Sequence, residues 1–248
     1  MSAAPGITPT TSASEVEVGR VKAIFRYPVK SMGAESLQSV QVSWNGLAGD
    51  RRWAFVRDGI PRSGFPWLTI RERPGMSQYL PSFAEPDRPD ASVTRVQTPS
   101  GQQFDVVDPA LAVDLGGDAR VIKSDRGVFD TLPLSLLTTQ TVASLGALVN
   151  TTLDIQRFRP NLLIEATGDA PYPEDAWVGS VLRIGAARIR ADGRDQRCAV
   201  VNVDPKTSER DPAILQAIAR ERKARLGIYG STVTPGLVAL GDPVYLGP

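Results

Sequence analysis

Along the first half of the chain, apolar residues fall in short runs that stop at turn-forming residues, the pattern of strands in a β protein. Residues 16–27 read as a strand that ends at Pro28. Val40, Val42 and Trp44 alternate with polar partners and stop at Asn45-Gly46, a turn signal. Residues 52–57, carrying Trp53 and Phe55, predict the next strand. The stretch 61–90 holds six prolines and predicts mostly loop. Residues 93–97 and 102–107 flank Pro99-Ser100-Gly101 as a hairpin would. Further on, 162–164, 181–184, 187–190 and 199–203 are short and β-like. Two stretches instead show helical spacing. Val142, Leu145, Leu148 and Val149 recur at three and four residues, with Thr138 or Thr139 able to cap the start. Asp211 as N-cap, Pro212 at the first helical position, Ile214 and Ile218, and Gly227 past the end mark the second helix. The fold class expected is mainly β with two short helices (α+β), strands pairing with their neighbours in sequence.

Asp108-Pro109 and Gly116-Gly117 interrupt this pattern and predict a boundary between residues 108 and 125. Residues 15–115 then form an N-terminal β module and 116–248 a second domain. Residues 1–14 are rich in Ala, Pro, Thr and Ser, with neither a basic region nor an apolar run, and read as a disordered leader and not a signal peptide. Residues 131–153 carry no charge. Their Pro, Gly, Asn, Gln, Thr and Ser content dilutes them too far for a lipid-spanning helix, so the expectation is a soluble, cytoplasmic protein.

Composition narrows the chemistry. Lys+Arg 28 against Asp+Glu 27 leaves a net charge of +1, too little to draw the chain to nucleic acid or to a membrane, although a local basic pocket stays open. The 248 residues include no histidine, which excludes Ser-His-Asp and Cys-His catalysis and every His-ligated metal site. The single cysteine, Cys198, excludes an intrachain disulfide, a four-thiolate zinc site and an iron–sulfur cluster of the chain's own. Redox chemistry here needs a borrowed cofactor and a separate electron donor. Proton transfer falls to Asp, Glu, Lys, Tyr or solvent.

Four segments, in order, resemble one family. They are Tyr27-Pro28-Val29-Lys30-Ser31 with Gly46-Leu47-Ala48-Gly49-Asp50-Arg51-Arg52-Trp53; Arg157-Phe158-Arg159-Pro160-Asn161; Asp175-Ala176-Trp177-Val178-Gly179 with Arg197-Cys198-Ala199 and Val203-Asp204-Pro205; and Gly227-Ile228-Tyr229 with Gly241-Asp242-Pro243-Val244. Together they resemble the MOSC family, molybdenum-cofactor proteins, preceded by its N-terminal β-barrel module. The architecture is similar to that of the amidoxime-reducing members. The resemblance implies a MOSC-type β-barrel packed against the N-terminal module, and bound molybdenum cofactor (Mo-molybdopterin). It also implies reduction of small N-hydroxylated compounds with electrons from a separate iron–sulfur, haem or flavin protein. Two positions depart from the family pattern: Asp192-Gly193-Arg194-Asp195-Gln196 stands where cysteine or proline is common, and Ser208 where glycine is.

Cys198 is the implied metal ligand and catalytic residue. Arg194 and Arg197 close before it favour the thiolate, a soft ligand suited to molybdenum, and residues 199–201 would anchor it on a strand. Lys30 supplies a point charge and Ser31 a hydroxyl and an amide, a set that fits the cofactor's terminal phosphate. Arg51 either adds a bidentate guanidinium there or forms a structural ion pair with Asp50. Pro160 holds Arg159 extended, so that Arg159 and Asn161 flank it and face the pterin, unless they merely stabilise a loop. Thr138 either caps its helix or turns its hydroxyl to an anion. Trp177, Tyr172 and Pro173 read as packing, Tyr229 as core or pocket border, and the arginines of 220–225 as a solvated face. Besides a reductase, the same residues suit a sulfur- or cofactor-carrier module using a Cys198 persulfide or thiolate, or a binding protein without chemistry.

Overall fold

The computed structural model describes residues 15–59, 65–117 and 119–247; the expected leader lies outside them. The first part of the chain forms β1 (Val16–Arg26), β2 (Glu35–Leu37), β3 (Ser39–Ser43), β4 (Gly46–Leu47), β5 (Trp53–Arg57), β6 (Leu80–Phe83), β7 (Thr94–Gln97), β8 (Gln103–Asp105), α1 (Pro109–Asp114) and β9 (Ala119–Lys123). The remainder forms β10 (Leu134–Thr138), α2 (Thr139–Val149), β11 (Leu162–Ala166), β12 (Val181–Ile184), β13 (Ala187–Gln196), α3 (Pro212–Arg222), β14 (Arg225–Thr234), β15 (Gly236–Ala239) and β16 (Pro243–Gly247). The protein is mainly β, with short helices.

Seven strands close into a barrel in the order β11-β10-β14-β13-β12-β16-β1, sealed by pairing of β1 with β11, and β2 extends β1 outside the ring. Strand alternation turns every second residue inward, so Val21, Leu136, Ile164, Leu182, Ile189, Ile228 and Val244 fill the interior. Closure agrees with the barrel that the family resemblance implies and corrects the expectation that strands pair with their neighbours in sequence. A barrel has no edges only if its first and last strands meet, and here β1 lies between β16 and β11. β10 and β11 run parallel, which requires a crossover, and α2 supplies it.

A second core, with Phe55, Leu68, Met76, Val96 and Leu111, lies under β5–β9 and the β6-β7-β8 sheet. Val29 and Met32, from the loop after β1, and Val203 belong to the same cluster and tie it to the barrel half. A third cluster packs α2 and α3 together through Leu145, Phe158, Ile214 and Ile218.

Both predicted helices form, with Thr138 and Asp211 as their caps. Several local expectations are corrected. Asp108-Pro109 interrupts the strands as an N-cap and first turn, giving α1. Within 61–90, a 3-10 turn (Pro74–Gln78) and the edge strand β6 form, Pro81 being tolerated because β6 pairs on one side only. Residues 199–202 are a 3-10 turn and not a strand. Helix α3 ends through Lys223 and Ala224, at φ +54° and +57°, while Gly227 lies inside β14. Trp44 stands 68% exposed beyond β3. Arg222 is not solvated: it pairs with Asp175 and stacks on Tyr172 at 3.9 Å. Among the described residues no helix is long and apolar enough to cross a membrane.

Candidate functional site

A cavity of about 380 Å³ opens where the barrel meets the N-terminal sheets. Its wall collects Lys30 and Ser31 from the loop after β1, Arg51 from the loop before β5, Arg159 and Asn161 from the loop before β11, and Cys198 just beyond β13. Six of the seven residues singled out in the sequence therefore share one pocket. The backbone is locally unusual there. Ser31, Arg51 and Arg159 all take positive φ, at +69°, +50° and +52°, a conformation that costs a non-glycine residue about 1–2 kcal/mol. Arg159 is a correction in detail: the following proline does exclude the right-handed helix, but the residue adopts the left-handed region and not an extended one.

The lining carries five cationic side chains, Lys30, Arg51, Arg71, Arg159 and Arg197, against two carboxylates, Asp130 and Asp195. In a chain of net charge +1 that is a concentrated positive field, and low-dielectric walls strengthen it. Tyr27, fully buried, organises two of these groups. Its ring lies 4.8 Å from the guanidinium carbon of Arg51 and 4.2 Å from that of Arg159, and its hydroxyl donates to the carbonyl of Pro160. Burial pushes the phenol up to about 12. Arg51 also pairs with the buried Asp50, so the ion pair considered from sequence is present, while the side chain still faces the pocket. Arg52 turns elsewhere, to Asp90. Arg159 donates to the carbonyl of Met32 at 2.7 Å, and its Nη2 is buried with no protein partner. Burial brings its guanidinium down to about 10, with the positive charge of Arg51 acting in the same direction. Lys30, only 6% exposed, contacts the Val128 carbonyl and Asp130; burial lowers its ammonium from the ordinary value despite that carboxylate.

Asn161 lies at the wall but is spent internally. Its amide nitrogen donates to Phe25 O and Asp50 Oδ2, and its oxygen accepts from the Ser135 amide and from Arg51. With both donors and both acceptor positions used, it positions the arginine loop and has no group left for a pterin. Thr138 is a correction: it lies outside the pocket, fully buried, where it caps α2 and donates to Glu174.

Cys198 is half-buried, a free thiol at the N-cap of the 3-10 turn Ala199–Asn202. A cap position, and not a strand, fixes it. Arg197 is the basic neighbour that shares the pocket, whereas Arg194 reaches Asp175 on another face. Sequence reading placed Arg197 beside the Cys198 thiolate but did not assign Asp195, Ser135 or Arg71 to the site. Arg197 binds the carbonyls of Leu226 and Phe158 and the carboxylate of Asp195. Its Nη2, without an acceptor, rests against Gly227, where a Cβ would come within 3.1 Å. The signal for this group was present in the alternation of 195–198 and in Gly227, but only strand register brings them together. Among the described residues no cluster of three or more His, Cys, Asp or Glu could hold a metal ion. A metal here would take one protein ligand, the Cys198 thiolate, with its other ligands from a bound molecule. The unpartnered, buried Arg159 nitrogen and the surplus of positive charge fit an anionic one.

Fold and pocket thus define a small closed barrel that joins an anion-receptive cavity to a single thiol. The MOSC N-terminal beta barrel domain matches residues 18–115, and the MOSC domain matches residues 124–245. The chain belongs to the MOSC family. It is 32% identical to human mitochondrial amidoxime-reducing component 1 over 47% of the chain and 37% of that protein. It is 24% identical to molybdenum cofactor sulfurase of Oryza sativa subsp. japonica over 83% of the chain and 31% of that protein. These alignments span about a third of each relative. The amidoxime-reducing component 1 of Xenopus laevis aligns over 92% of the chain and 82% of its own length at 23% identity. Among solved structures, the YUAD protein from Bacillus subtilis shares the fold, with a TM-score of 0.53 at 12% identity over 94% of this chain and 97% of that one.

Proposed function

We propose that the pocket holds molybdenum cofactor and that the loaded protein reduces small N-hydroxylated compounds, taking electrons from a separate iron–sulfur, haem or flavin protein. The observation that carries this reading is convergence: Lys30, Ser31, Arg51, Arg159 and Cys198 come from four loops and line one cavity. Similarity to amidoxime-reducing components and to a molybdenum cofactor sulfurase supports the same cofactor. Lys30, Ser31 and Arg51 would hold its phosphate, Arg159 would face the pterin, and the Cys198 thiolate would bind the metal. When bound, the cofactor supplies two-electron chemistry at an open metal position. The chain's own work is electrostatic and geometric. Tyr27 and Asn161 fix the arginines before any ligand arrives, so little reorganisation opposes binding.

Replacing Cys198 tests the reading. Cys198→Ser is nearly isosteric at a half-buried position, so thermal unfolding should stay close to wild type. Pterin should remain in part, because its other contacts are untouched. Reduction of an aromatic amidoxime with an artificial electron donor should be abolished. A variant that still reduces the amidoxime removes Cys198 from the chemistry.

A further inference from the structure

A buried acid cluster on the pocket floor is built from three barrel strands. Ser135 on β10 pairs in register with Tyr229 on β14, and Tyr229 with Gly193 on β13. Two residues later the ladder between β13 and β14 is irregular, between Arg194 and Gln196, and the residue at that bulge is Asp195. Bulges re-aim side chains, and this one accompanies a carboxylate that is 2% exposed yet lines the pocket. Ser135 Oγ donates to Asp195 Oδ2 at 3.0 Å, and Arg197 Nη1 reaches the same oxygen at 3.0 Å. Both contacts fall on one oxygen, leaving the other able to carry a proton. Tyr229 lies beside Asp195, close enough for each to shift the titration of the other, and itself borders the cavity.

We propose that Tyr229 is the proton donor of the reductive reaction and that Asp195, behind it, is its proton reservoir. The inference rests on the reductase reading above. In the overall change, R–NH–OH with two electrons and two protons gives R–NH2 and water. The N–O bond breaks, and both electrons come from the separate redox protein. One proton passes from the Asp195 carboxyl through the Tyr229 hydroxyl to the departing oxygen, which leaves as water. The nitrogen takes the second proton from solvent. Asp195, left as a carboxylate beside Arg197, is reprotonated from solvent. The surroundings suit the task. Burial raises the Asp195 carboxyl above the ordinary carboxylate range, although Arg197, Tyr229, Ser135 and, from further off, Arg51 all oppose the shift. Burial pushes the Tyr229 phenol up to about 12, so it stays a donor at neutral pH.

Two readouts separate this proposal from the reading beneath it. The first needs no cofactor: an infrared difference spectrum of wild type minus Asp195→Asn should show the C=O stretch of a protonated carboxyl at neutral pH. The difference isolates Asp195 from Glu174, the other buried acid raised by burial. Absence of the band overturns the proposal. The second uses protein loaded with cofactor. Asp195→Asn and Tyr229→Phe should each keep wild-type molybdenum and pterin while turnover of an aromatic amidoxime falls roughly 10²-fold. In wild type, turnover should fall as pH rises through the Asp195 pKa, and Asp195→Asn should lose that limb. Unchanged turnover in Tyr229→Phe, or an unchanged pH profile in Asp195→Asn, overturns the proposal. Loaded wild type that reduces no N-hydroxylated probe overturns the reductase reading itself, and this use of the proton with it.

Discussion

The side-chain amide of Asn161 donates to the carboxylate of Asp50 across 3.1 Å, joining residues 111 positions apart in the chain. Asp50 in turn accepts from the Tyr27 amide and pairs with Arg51, so one buried hydrogen-bonded unit sets the wall on which the pocket's arginines rest. Asn161→Ala leaves the Ser135 amide and the Phe25 carbonyl without this partner. The expected cost is about 2–6 kcal/mol, since each of the two stranded buried groups costs about 1–3. Urea unfolding measures it. A shift in midpoint too small to resolve would mean that Asn161 does not hold the loop.

Lys30→Ala and Arg159→Ala bear on binding more than on folding. Each removes one charge-assisted contact, worth about 1.5–3 kcal/mol, and therefore roughly tenfold or more in cofactor affinity. Pterin retained through gel filtration reads the effect directly. Full retention in both variants would put the phosphate and pterin elsewhere.

Glu174 gives a pH prediction remote from the pocket. It is fully buried, accepts from the hydroxyls of Thr138 and Thr141, and has its second oxygen unpartnered. Burial raises its carboxyl despite those two hydroxyls. A folded-state pKa above the unfolded value of about 4.3 means that the folded protein binds more protons within that interval. Its stabilising contribution is thus complete below the unfolded value and is lost as pH rises through the folded one. Glu174→Gln should flatten this dependence above about pH 4.3, read from denaturant midpoints across pH. A slope that persists unchanged assigns it to other groups, Asp195 first among them.

Strands such as β1 and both cap-marked helices were legible because they rest on local rules: alternation in residues 16–26, Thr138 before α2, and Asp211-Pro212 before α3; β6, inside an expected loop, and the turn at 199–202, expected as a strand, were not. What local rules cannot carry is closure. Nothing within β1 says that it pairs with β16 and β11, and nothing within β10 or β13 says that both pair with β14, the register that brings Ser135, Asp195 and Tyr229 together. The pocket residues tied to quoted motifs, Lys30 and Arg159 among them, were found together. Of the two roles open to Thr138, cap and anion donor, only the cap is present; the two look alike in sequence. Ser208 shows the reverse case. Its φ of +64° explains why glycine suits that position, a backbone demand invisible in the residue itself.

The central claim is that this pocket binds molybdenum cofactor. Metal and pterin content of protein purified from cells competent in cofactor synthesis tests it most directly. The account predicts near-stoichiometric molybdenum and pterin in the wild type, both reduced by Lys30→Ala and Arg159→Ala. Folded wild-type protein from those cells carrying neither molybdenum nor pterin would contradict it.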